Sequence, residues 1–381
     1  MPMQAQVERN PETILMSLSP EEKHVFLLAG LRALEQERRT PQAGGRPEFL
    51  DLNIALNEDI ELDWIIPGLI LRGTVNFLVG AGGRGKSLLS LFLAAELASG
   101  SPEGFFSSEL DSPQKVLAIN AEDPKDIIHH RIRRFIAGSF PPEGLRENLL
   151  IWPAHGDLGP LFSSGLSGVK PTDHFKRLTN VITAEAPRLV ILDPLMRLLG
   201  LPENDNTLAG AAIMELERVA KECGFSWLIV HHTGKAYRNE QSDIAARGAS
   251  GFVDAARCVM VAVPPEGKEI ELLIGPREGS VAIKIIFTKI SYGPLRNPVL
   301  FVFTSGERYS HNELDPEVLK RLNLRDRILR LLSKGEPLTF NKLKDRLRAD
   351  PEDLEVVLED LIRQGAVVKE TSSRAIKYSL S

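Results

Sequence analysis

From Trp64 to about Pro294, short apolar runs alternate with helical stretches. Six of the runs read as strands: TVNFLVG (74–80), KVLAIN (115–120), NLLIW (148–152), RLVILD (188–193), FSWLIV (225–230) and CVMVAV (258–263). ELLIG (271–275) and VAIKIIF (281–287) follow and read as a hairpin. The six runs are apolar at nearly every position instead of every second one. Strands of that kind are buried on both faces, as in a parallel sheet covered by helices. The pattern predicts an α/β core over residues 49–310.

The flanks have a different periodicity. SPEE (19–22) reads as a helix start: Ser19 caps, Pro20 suits the first turn and Glu22 closes a capping box. That helix is expected to run to about Arg39, and TPQAGGRP (40–47) breaks it as a linker. Residues 1–48 are therefore expected to form an N-terminal helix and linker. At the other end, Leu324, Ile328, Leu331 and Leu332 share one helical face, and FNKLKDRL gives a short second helix. Leu354, Val357, Leu358, Leu361 and Ile362 repeat at helical spacing up to Gly365, which suits a helix stop. AVVKETSSRAIKYSL reads as two strands around a turn. Three helices and a hairpin predict a winged helix over 316–381.

Composition removes several classes. No apolar run reaches the roughly 18 residues that cross a bilayer, and MPMQAQVERNPE lacks the basic start and apolar core of a signal peptide. A cytoplasmic protein without a membrane role is expected. Cys223 and Cys258 form neither a disulfide framework nor a CxxC pair. The net charge of −5 creates no global attraction for nucleic acid, so any such binding is local or arises in an assembly. Residues 318–381 carry 14 Lys and Arg against 10 Asp and Glu. Their third helix, however, holds Glu352, Asp353, Glu355, Glu359 and Asp360 against Arg363, a charge set that repels phosphate. Contact with protein or stacking in a ring stands beside DNA binding for this module.

The strongest chemical signal is GAGGRGKS: Gly80, Ala81, Gly82, Gly83, Arg84, Gly85, Lys86 and Ser87. It fits G-x-x-x-x-G-K-[ST], follows a predicted strand and opens a helix. Such a loop lets backbone N–H groups and a helix N-terminus cradle phosphates. Lys86 would reach the β- and γ-phosphates of ATP, and Ser87 would hold Mg²⁺. Asp193, delivered to a strand end by an apolar run, can bind the Mg²⁺ water shell. Glu122 and Asp123 follow the strand after the phosphate loop, and a carboxylate there can activate water. The run FSWLIV leads into His231 and His232, which fit a metal site, a catalytic base, plain filler or a sensor of something bound nearby. A zinc site needs further ligands, and no third His or Cys stands at metal spacing.

Taken in order, the phosphate loop, the early Glu122-Asp123, Asp193-Pro194, VHHTGK and ARGASGFVDAAR resemble the RecA-type core of hexameric helicases. The set is most similar to the plasmid replicative helicase RepA family, related to DnaB, and the lead-in WIIPGLILRGTVNFLVG resembles it too. The resemblance spans roughly residues 60–295. It implies an ATP-hydrolysing, Mg²⁺-dependent helicase that forms a ring, acts on single-stranded DNA, and works with a replication initiator or loader. It makes His232 the γ-phosphate sensor, and Lys235, Tyr237 and Arg238 contacts to single-stranded nucleic acid. Arg257 becomes the arginine finger supplied to a neighbouring subunit, with Arg247 as runner-up. Lys289 is retained from the DnaB-like K-x-R-x-G-P pattern, but Ser291 replaces its arginine, which removes one trans arginine. A non-translocating ATPase of RecA or KaiC type in repair or regulation, and a DNA-binding regulator switched by ATP, remain as alternatives.

Overall fold

The computed structural model describes residues 49–165, 168–202, 205–232, 255–265, 269, 280–306, 309–371 and 376–380. The expected helix at 19–39, the linker at 40–47 and the strand at 271–275 lie outside the described residues. Residues 49–62 contain one short helix, Leu52–Asn57, capped by Asp51, whose carboxylate accepts the Asn53 N–H at 2.8 Å.

Nine strands build the main sheet: β1 Val75–Gly80, β2 Val116–Asn120, β3 Leu149–Pro153, β4 Leu189–Asp193, β5 Ser226–His232, β6 Cys258–Val263, β7 Val281–Ile290, β8 Val299–Phe303 and β9 Ser310–Glu313. Their order is β9-β8-β7-β6-β1-β5-β4-β2-β3. The six strands from β6 to β3 are parallel, and β7, β8 and β9 extend them antiparallel. This is a mixed α/β fold with a large, mainly parallel central sheet.

The near-uniform apolarity of β1, β2, β4, β5 and β6 follows from cover on both sides. Phe77, Val190, Trp227 and Val259 pack on the helices Asp173–Glu185 and Asn206–Cys223. Leu78, Ile191, Leu228 and Met260 pack on the helix Lys86–Ser99. That helix is buried almost all round, with Leu89, Phe92, Leu93, Ala95 and Leu97 at 1% exposure or less. It is also pinned by Glu96, whose carboxylate accepts the N–H groups of Phe106 and Ser107 and the Tyr309 hydroxyl.

Burial pushes the Glu96 carboxyl up from 4.5 to about 7, against the opposing pull of those donors. The native protein therefore holds a proton between pH 4.5 and 7 that the unfolded chain releases. Stability from this group is complete below pH 4.5 and is lost as pH rises through about 7, on the order of 3 kcal/mol. Thermal melts from pH 5 to 8 are expected to show a falling Tm, and Glu96→Gln is expected to flatten that slope.

Five strands and a turn depart from the sequence reading. β7 runs to Ile290 and pairs with β6 and β8, so its described partners are not a preceding hairpin strand. VLFVF (299–303) is a fully buried strand, and SHNE (310–313) covers its edge. Phe162–Gly165 and Gly168–Pro171 form a separate small hairpin whose Ser and Gly content gives no strand periodicity. Residues Ile132–Ile136 form a π-helical turn after the helix Lys125–Arg131.

Beyond the sheet stand three helices, Pro316–Leu332, Phe340–Leu347 and Pro351–Arg363, and a three-stranded sheet of Leu338–Thr339, Ile376–Leu380 and Val367–Thr371. Their core gathers Leu324, Ile328, Leu332, Leu343, Leu354 and Leu361, while Leu331 and Ile362 are only partly buried. Asp353 does not belong to the exposed acidic face. It is buried and paired with Lys320 at 2.8 Å and Arg321 at 3.5 Å. Glu352, Glu355 and Glu359 are exposed.

Candidate nucleotide site

Parallel register brings the carboxyl ends of several strands to one edge. Gly80 ending β1 pairs with His232 ending β5, and Asp193 ending β4 pairs with Asn120 ending β2. Open parallel sheets hold ligands at this edge. A cleft of about 480 Å³ lies there, walled by the phosphate loop with Glu122, Asp123, Arg131, Phe135, His232 and Val281.

The loop is shaped by close approach and by turn geometry. A Cβ on Gly80 would lie 2.5 Å from the Ala262 carbonyl oxygen, so only glycine lets β1 end so near β6. Gly85 opens the helix Lys86–Ser99 at φ 78°, a left-handed conformation that disfavours a side chain.

Lys86 is buried and folded back. Its ammonium donates to the carbonyl oxygens of Gly80 and Ala81, each at 2.8 Å, and to His232 Nδ1 at 3.1 Å. These three contacts use all three ammonium hydrogens. Burial lowers its pKa to about 8, opposed by the nearby charges of Asp193 and Glu122.

Because Nδ1 of His232 accepts from Lys86, the network assigns the ring proton to Nε2. That nitrogen stands 3.5 Å from Glu122 Oε2. Burial, and then the Lys86 charge, holds the imidazole below its usual pKa and keeps it neutral. A continuous polar line thus runs from the loop ammonium through His232 to Glu122. The predicted strand FSWLIV extends through both histidines, so they point to opposite faces. His231 is buried edge-on to Phe77, with ring centroids 6.5 Å apart. Among the described residues no group of three or more His, Cys, Asp or Glu forms a metal cluster.

The two acidic neighbours differ in their partners. Asn120 Oδ1 accepts the N–H groups of Glu122 at 3.1 Å and Asp123 at 2.8 Å, a side-chain turn that fixes both. Asp123 is ion-paired with Arg131, which also donates to its second oxygen at 3.3 Å. Glu122 instead faces His232 from a half-exposed position. Asn120, Arg131 and Ser90 were not among the residues expected from the sequence. An Asn two and three residues before the acidic pair is a legible turn signal, whereas nothing in the spacing marks Arg131.

Asp193 lies in a narrow recess with Ser87 and Ser90. Burial pushes its carboxyl up to about 6, against hydrogen bonds from Ser87 and Ser90 and with the added repulsion of Asp123. Ser90 Oγ reaches Oδ2 at 3.3 Å, while the buried Oδ1 has no hydrogen-bond partner. A buried, unsatisfied carboxylate oxygen beside two hydroxyls suits a hard divalent cation, which takes oxygen ligands.

Arg257 is exposed and far from this cleft within its own chain. Its N–H bonds the Val75 carbonyl at 3.0 Å, level with the start of β1. Gly80 lies five residues further along, about 17 Å at strand rise. Lys289, paired with Val259, sits at the same end of the sheet as Arg257. Lys235, Tyr237, Arg238 and Arg247 lie outside the described residues.

Among the described residues, no helix is long and apolar enough to cross a membrane. Compared with known families, the chain matches the family described as AAA domain over residues 44–238, just over half of its length.

Proposed function

The chain belongs to the AAA domain family, whose members are P-loop ATPases, and from that premise we propose that it is a ring-forming helicase or translocase of RepA type acting on single-stranded DNA. In this reading the core is RecA-like, the C-terminal helices and sheet are a winged helix, and the setting is replication of a plasmid, phage or mobile element. The observation that carries it is the line Lys86–His232–Glu122. It links the phosphate loop to the candidate base through the last residue of β5, and the chain then continues into Lys235, Tyr237 and Arg238. A change at the γ-phosphate would thereby reach the segment proposed to touch DNA.

Each residue has a part in this reading. The loop from Gly80 to Ser87 holds the triphosphate, and Lys86 exchanges its carbonyl partners for phosphate oxygens. Glu122 orients and deprotonates water, and His232 senses the γ-phosphate. Ser87 and Asp193 would hold Mg²⁺, which when bound neutralises charge on the phosphate oxygens. Arg257 serves the site of a neighbouring copy, with Arg247 and Lys289 as the other candidate cations. A replication initiator or loader would place the ring on DNA.

The test is ATP hydrolysis with and without single-stranded DNA, together with separation of a forked duplex. Wild type is expected to hydrolyse ATP, to be stimulated by single strands and to unwind the fork, and Lys86→Ala is expected to do none of these. Stimulated hydrolysis without strand separation would instead assign a non-translocating ATPase. The Lys86 pKa adds a pH limb. The ammonium is charged below about pH 8 and loses its proton above it, so kcat/KM for ATP is expected to fall as pH rises beyond 8.

A further inference from the structure

We infer that Phe135 is the platform on which the nucleobase of the bound nucleotide stacks, so that the site selects purines over pyrimidines while separating adenine from guanine weakly. This rests on the nucleotide-hydrolysis reading above and names the part of the substrate that reading leaves unassigned. The phosphate loop, Lys86 and Ser87 account for the anionic portion of the cleft. Among the described residues, its apolar side chains are Leu88, Phe135 and Val281, and Phe135 is the one phenyl ring. A base needs such a wall, because its faces are apolar and polarisable.

Phe135 is held as a platform should be. It is half-buried, packing against the core cluster that includes Phe92 and Phe140. The Arg134 guanidinium stands 5.3 Å from the ring centroid, which braces the ring. The ring sits in the π-helical turn Ile132–Ile136, closed by the Ala137 N–H on the Ile132 carbonyl at 2.9 Å. A π turn holds one residue more than an α turn, and one residue is worth about 100° of rotation. Ile136 is fully buried while Phe135, its neighbour, borders the cleft. Arg131, the cation of this segment that lines the cleft, is tied to Asp123. The wall thus reads a π-face, which every base has, and a larger ring system gains more from it.

The experiment measures KM and kcat for ATP, GTP and CTP with wild type, Phe135→Ala, Phe135→Leu and Phe135→Tyr. Leucine keeps the packing against the core and removes the aromatic face, and tyrosine keeps both. Wild type is expected to use ATP and GTP with similar kcat/KM and CTP less well. Alanine and leucine are expected to raise KM for the purine nucleotides about 10-fold with kcat little changed, and to narrow the gap to CTP. Tyrosine is expected to restore wild-type values. A leucine variant with wild-type KM, or a strong preference of ATP over GTP in wild type, overturns the inference while leaving the ATPase reading intact. Absence of hydrolysis by wild type with every nucleotide overturns the ATPase reading itself.

Discussion

Glu122→Gln is expected to bind ATP with near wild-type affinity and to hydrolyse it about 10²–10⁴-fold more slowly, the usual cost of losing a water-activating group. The substitution preserves shape. The turn made by Asn120 holds the backbone at 122, and a glutamine carbonyl can still accept the His232 Nε2–H. What disappears is the capacity to take a proton. The adjacent Asp123 cannot easily substitute, because Arg131 occupies both of its oxygens. Asp123→Asn is therefore expected to loosen the segment Lys125–Ile136 and to lower turnover much less than Glu122→Gln. Single-turnover hydrolysis and equilibrium nucleotide binding, measured on both variants, separate the two effects. Near wild-type turnover in Glu122→Gln moves the base elsewhere. His232→Ala gives a third readout: nucleotide affinity is expected to stay while stimulation by single strands is lost.

The core was legible because its chemistry leaves local marks. A strand buried on both faces must be apolar throughout, and five of the six parallel strands were visible for that reason; the edge strand β3 is only partly buried and was visible by its apolar run. The phosphate loop is a fixed spacing, and Asp193 stands at the end of an apolar run. Long-range pairing leaves no such mark. β8 follows Asn297 and Pro298, residue types that favour turns, yet the strand is buried by its antiparallel neighbours. The π turn differs from a helix by a single residue, so neither periodicity nor composition announces Phe135. The acidic third helix read as uniformly repulsive because Lys320 and Arg321, which take up Asp353, come from a helix more than thirty residues earlier. The unpartnered oxygen of Asp193 likewise depends on how β4 meets the helix Lys86–Ser99.

Arg257→Ala is expected to lower ATP turnover by about 10³–10⁵, the worth of an arginine finger, although Arg257 lies about 17 Å along the sheet from its own phosphate loop. At that distance from its own phosphate loop, such a loss fits action on the site of another copy, as in the proposed ring. In the proposed ring, Lys86→Ala is expected to silence ATPase from the other side of the interface. Mixing the two variants creates some interfaces in which an intact phosphate loop faces an intact arginine. The mixture is then expected to regain ATPase that neither variant has alone. Subunits must exchange for this to happen, so exchange is first measured with labelled protein. With exchange established and no recovery, either Arg257 has no role in trans or hydrolysis needs several consecutive intact interfaces. A covalently linked dimer carrying one substitution in each half distinguishes these cases. Lys289 shares the end of the sheet with Arg257, since Ser291 N–H bonds the Arg257 carbonyl at 2.9 Å and Lys289 pairs with Val259. Lys289→Ala and Arg247→Ala in the same mixing experiment therefore decide which cation is the finger. The one whose loss is complemented by Lys86→Ala acts across the interface, and one that lowers turnover without complementation does not.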